Sequence, residues 1–92
     1  MSLKITKKHE TFYLNGEINA LNYKPFINFI QFNFDIDNNV IINIDNLVEI
    51  NKESFETIKE LINTSVKSSK IFSIVGKGSK EIYEEYNQSI VA

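Results

Sequence analysis

The chain contains no cysteine, no tryptophan and no arginine, and only one histidine, one proline and three glycines. Each scarcity closes a class of chemistry. Without cysteine there is no disulfide framework, no thiolate zinc site and no thiol nucleophile. A single histidine, His9, cannot assemble a multi-histidine metal centre. All ten basic residues are lysines, so the planar two-pronged guanidinium grip on phosphate or carboxylate is missing. A net charge of -2 with dispersed lysines offers no basic footprint for nucleic acid. No apolar run approaches the roughly 20 residues that cross a bilayer. Met1-Ser2-Leu3-Lys4 lacks the apolar core of a secretion signal. The expectation is a cytoplasmic protein that engages neither membrane nor nucleic acid.

What is present is an ordinary globular composition. At 92 residues, 42% hydrophobic and 24% charged, the chain is long enough for one domain, 1–92, and too apolar for intrinsic disorder. Isoleucine, asparagine and lysine are abundant, an enrichment that AT-rich codons explain without reference to function.

Hydrophobic periodicity sets the element order. Leu3 and Ile5 alternate with polar neighbours, Lys7 to Glu10 is a polar turn, and Phe12 and Leu14 begin a second alternating run. These predict two antiparallel strands. A helix is expected from about Asn22 to Phe34, with Asn22 as N-cap and Pro25 tolerated in the first turn. The period-two spacing of Ile30, Phe32, Phe34 and Ile36 competes with it as a strand; Pro25 and the preceding 3.6-type spacing favour helix.

Val40 to Ile44 is a β-branched run expected as a central strand with most of both faces covered, and Asp45 to Ile50 as the segment leaving it. A long helix from about Lys52 to Ser68 follows. Asn51 is its expected N-cap, Ile50 and Phe55 form a hydrophobic staple, and Phe55, Ile58, Leu61, Ile62 and Val66 form the buried stripe. Lys70 to Val75 reads as a strand, Gly76-Lys77-Gly78 as a turn, and Ser79 as the cap of a helix through Tyr86. The fold class is therefore α/β, in the order β-β-α-β-α-β-α. Its sheet is mostly parallel with an antiparallel N-terminal strand. The polar residues Lys4, Thr6, Thr11 and Asn15 share one side of the first two strands with Tyr13, so helices are expected mainly on one face.

This layout resembles the STAS domain, the module of sulphate transporters and anti-sigma factor antagonists. Three segments carry the resemblance: Phe12 to Ala20, Val40 to Leu47 and Ile71 to Gly76. The resemblance as a whole covers roughly Leu3 to Tyr86. The resemblance implies a bacterial, non-catalytic regulatory module that docks a protein, such as an anti-sigma-type regulator or kinase. The docking surface it implies is the strand exit and start of the long helix: Asn46, Glu49, Asn51, Lys52, Glu53, Ser54 and Glu56. In the family an Asp-Ser-Ser-Gly motif there carries a phosphorylated serine. Asn51, Lys52, Glu53 and Ser54 stand at those positions, so the resemblance implies a module without the usual serine switch. Many members of the family have a further strand and helix at the end; this sequence is expected to be a minimal version or to end differently.

The remaining chemistry is thin. His9 lies in a polar turn beside Lys7 and Lys8, the setting of a solvated side chain rather than a general base. Asp35 and Asp37 beside Asn38 and Asn39 lack the ligand series of a cation loop. No enzyme activity, metal or cofactor is expected. A second reading rests on strand carboxyl ends, where α/β sheets bind ligands. Asp45 with Gly76, Lys77, Gly78 and Ser79 would hold a small ligand, nucleotide or anion on backbone N–H groups. Self-association as a homodimer, through Tyr13 and Ile41 or through Phe29 and Phe32, is a third.

Overall fold

The computed structural model describes residues 3–84. It has the expected order: β1 (Leu3–Lys8), β2 (Thr11–Glu17), α1 (Tyr23–Ile36), β3 (Asn39–Glu49), α2 (Lys52–Val66), β4 (Ile71–Val75) and α3, helical over 79–84. One four-stranded sheet runs β1-β2-β3-β4. β1 is antiparallel to β2, and β3 is parallel to both β2 and β4. The layout is the expected α/β one, with a mostly parallel sheet and an antiparallel N-terminal strand. The expected end of α3 at Tyr86 lies outside the described residues. Among the described residues no helix is long and apolar enough to cross a membrane.

The core forms because alternate strand residues meet the helices on one side. Phe12, Leu14, Val40, Ile42, Ile44, Phe72 and Ile74 from the sheet bury against Phe26, Ile30 and Phe34 of α1 and Ile58, Leu61 and Ile62 of α2. Ile82 of α3 joins them. The opposite face stays open, with Tyr13, Ile71 and Val75 exposed and Ile41 half-buried. Helices mainly on one face were expected and are found; the expected coverage of most of both faces of β3 is not. Its β-branched run is explained by pairing on both edges, which makes it central in the sheet without being sandwiched.

α1 wins over the competing strand reading, and that period-two pattern leaves Phe32 and Ile36 in solvent at 62% and 61% exposure. Asn22 stands at its N-cap without a side-chain cap bond. Its amide is spent on the preceding loop instead, donating to Glu17 O and accepting from Asn19 N–H. At the other end Lys70 Nζ donates to the Phe34 and Asp35 carbonyls at 2.5 and 2.8 Å. A lysine distant in sequence thus satisfies carbonyls that a helix C-terminus leaves unpaired.

α2 ends at Val66 rather than Ser68, and its buried stripe is rotated from the expected one. Ser54, Ile58, Leu61, Ile62 and Ser65 are buried, Phe55 is half-buried and Val66 is 71% exposed. The reason is geometric. At about 100° per residue, Ser65 falls ~20° from Ile58 around the helix and Val66 ~80°. Two serines therefore face the sheet. Asn51 caps the helix as expected, its Oδ1 accepting from Ser54 N–H at 3.3 Å.

Candidate functional site

β3 does not stop at Ile44. It continues to Glu49, beyond its last partner on β4, where Asn43 pairs with Val75. Asp45 and Asn46 are poor strand formers, and two register shifts against β2 accommodate them. One lies between Tyr13 and Asn15, the other between Gly16 and Glu17, and at each β3 contributes an extra residue. At the first shift the Asn43 side chain accepts the Asp45 N–H at 2.9 Å. The second turns Val48 outward, 77% exposed. The expected exit loop is therefore a bulged strand overhanging its neighbour.

The turn after β4 closes the space beside this overhang. Asp45 Oδ1 accepts the Lys77 N–H at 2.8 Å, pinning the turn to β3. Gly76 has φ +102°, and a Cβ there would lie 2.8 Å from the same Asp45 oxygen, so only glycine fits. Ser79 is the first helical residue of α3 rather than the cap before it, and its N–H donates to Gly76 O at 3.1 Å.

Between overhang, turn and α2 lies a groove of about 560 Å³. Ile44, Leu47, Val48, Ile50, Phe55 and Ile82 supply its apolar walls; Glu49, Lys52, Lys77 and Glu81 supply its charges. Phe55 is braced by Lys59, whose Nζ sits 4.9 Å from the ring centroid and 3.3 Å from Glu56 Oε2.

The implied docking residues divide sharply. Glu49 and Lys52 line the groove. Asn46 is exposed on the overhang without lining it. Asn51 serves as the cap, and its Nδ2 holds Glu53 Oε1 at 2.9 Å. Glu56 pairs with Lys59. Ser54 is a correction: it is fully buried, with no hydrogen-bond partner for its hydroxyl among the described residues. It offers no surface to a partner and no accessible oxygen for phosphorylation. It faces inward because it lies ~40° from Ile58 around α2.

Of the ligand-binding candidates, Lys77 and Gly78 line the groove. Asp45 and Gly76 fasten the turn instead. With the Lys77 N–H held by a carboxylate and the Ser79 N–H by Gly76 O, the loop has fewer free donors for an anion. The apolar walls are not expected from the sequence reading, which assigns Leu47 and Val48 only to the segment leaving the strand and Ile50 to the staple with Phe55. Their signal was present as a second apolar cluster directly after Asp45-Asn46.

Among the described residues no three His, Asp or Glu side chains gather as metal ligands. Both aromatic candidates for self-association on α1 are exposed, Phe29 at 36% while packing edge-to-face on Phe12 at 5.3 Å, and Phe32 at 62%.

No family model and no curated protein matches the chain. One similar solved structure is that of Mglu, with a TM-score of 0.55 and 11% identity over 82% of this chain, which spans 19% of that one. Another is an uncharacterized protein of the DUF3478 family with a SpoIIAA-like fold from Shewanella loihica. There the TM-score is 0.46 and the identity 15%, covering 98% of this chain and 75% of that one. At 11% identity the likeness to Mglu is one of fold alone.

Proposed function

We propose that the protein is a non-catalytic interaction module whose partner protein docks an apolar side chain into the groove beside the β3 overhang. The observation that carries this reading is Val48, a β-branched residue 77% exposed at a bulge, on the rim of an apolar groove of about 560 Å³. A buried apolar centre ringed by charge is the anatomy of protein interfaces. Glu49, Lys52, Lys77 and Glu81 provide that ring with both signs. Docking is constitutive with respect to residue 52, because a lysine stands where the resembling family carries its phosphorylated serine.

Quantitative affinity capture from the native host tests this, with wild type, Val48→Asp and Phe32→Asp in parallel. Phe32 is similarly exposed but lies on α1, outside the groove lining. A partner lost with Val48→Asp and retained by Phe32→Asp supports the site; equal retention by both contradicts it.

A second reading keeps the groove but fills it with a small apolar ligand, since its volume falls in the range of such pockets, about 300–1,000 Å³. A thermal-shift screen separates the two. A ligand at 100 times its Kd adds roughly 2.7 kcal/mol of stability, and flat melting curves across nucleotides, anions and apolar acids count against it.

A further inference from the structure

The two edges of the sheet are protected unequally. β1, at one edge, carries Lys4, Lys7 and Lys8 along its six residues. Lysines on an edge strand discourage a second chain from pairing with it. β4, the other edge of the sheet among the described residues, reads Ile-Phe-Ser-Ile-Val. It has no charge, no proline and no glycine, and strand-forming, uncharged segments of this kind template further strands.

The backbone of β4 shows which groups are at risk. The Ile71 N–H donates to Asn38 O at 2.7 Å, so it points towards β3. Backbone direction alternates along a parallel strand, which turns the N–H groups of Phe72 and Ile74 to the outer edge. Tyr83 Oη accepts the Ile74 N–H at 2.7 Å; among the described residues nothing takes that of Phe72. Tyr83 reaches this position because α3 is fastened to the sheet nearby, through Lys77 N–H on Asp45 and through Ile82, which is buried in the core.

We propose that the Tyr83 hydroxyl guards the β4 edge, blocking a second copy of this chain from adding there as a fifth strand. A phenol on the fourth residue of a five-residue strand interrupts the ladder that such a copy needs. The guard does on β4 what the lysines do on β1. It is independent of the groove and of any partner held there.

Amide hydrogen exchange and light scattering on the full chain test it. In the wild type, Ile74 exchanges more slowly than Phe72 and the protein is monomeric. In Tyr83→Phe, which keeps the ring that packs on the core, Ile74 exchanges about tenfold faster, in line with loss of one hydrogen bond. The variant also dimerises with rising concentration. Because the chain has no cysteine, a spin label at Ser73→Cys reports strand-to-strand contact by dipolar broadening, in Tyr83→Phe alone. Adding Ile71→Lys restores the monomer by putting charge on the edge. Equal Ile74 and Phe72 exchange in the wild type, a monomeric Tyr83→Phe, or a wild type that already pairs through β4 overturns the proposal.

Discussion

Asp45 Oδ1 lies 2.8 Å from the Lys77 nitrogen and would lie equally close to a Cβ on Gly76. One carboxylate oxygen therefore ties β3 to the turn that opens α3 and dictates glycine at its start. Gly76→Ala suffers twice, from a left-handed φ and from the steric clash, and is expected to lose roughly 1–3 kcal/mol. Asp45→Ala, on an exposed residue, should lose less, about 1 kcal/mol. Denaturant titration of both variants checks the order; a harmless Gly76→Ala means the turn relaxes freely.

The orphaned hydroxyl of Ser54 gives a prediction of opposite sign. Its oxygen is buried without a partner among the described residues, and alanine removes that desolvation cost while improving helix propensity. Ser54→Ala should raise stability by about 1 kcal/mol, and Ser54→Asp should unfold the protein by burying a charge. A lower melting temperature for Ser54→Ala would show that the hydroxyl has a partner the fold depends on.

The rotated face of α2 is tested by contrasting two of its apolar residues. Ile58 is 1% exposed and Val66 71%. Ile58→Ala should therefore cost about 2–5 kcal/mol, and Val66→Ala less than about 0.5 kcal/mol. Comparable losses in chemical denaturation would restore the stripe expected from periodicity.

Lys70 closes the C-terminus of α1 from across the molecule, with its ammonium also 5.0 Å from the Phe34 ring centroid. Lys70→Met keeps the apolar stem and loses the donors, and should cost about 1–2 kcal/mol. Lys67→Met, exposed just beyond α2, serves as the control. Equal effects of the two changes, read from thermal melts, would assign the loss to net charge alone.

Element order was legible because the apolar spacing of Phe12 and Leu14, of Phe26, Ile30 and Phe34, and of Ile58, Leu61 and Ile62 matches the element each builds. What escaped was set by geometry between elements. Asp45 and Asn46 look like the end of a strand, and only the bulges against Tyr13 to Glu17 show that β3 runs through them. Val66 looks like core until the helix is rotated onto Ser54 and Ser65. The groove follows the same rule. Glu49 and Lys52 were found from the resemblance to a known docking surface, whereas Val48 and Ile82 come together only when α3 is seated on Asp45 and the core.

The central claim is that the groove is the docking site, and its most direct measurement is the affinity of the captured partner for wild type and for Val48→Asp. Calorimetry, with both proteins first shown to melt alike, should give at least a tenfold weaker Kd for the variant, the cost of about 1.4 kcal/mol expected for an apolar contact turned into a buried charge. An unchanged Kd for Val48→Asp would contradict the assignment and place the interface elsewhere on the fold.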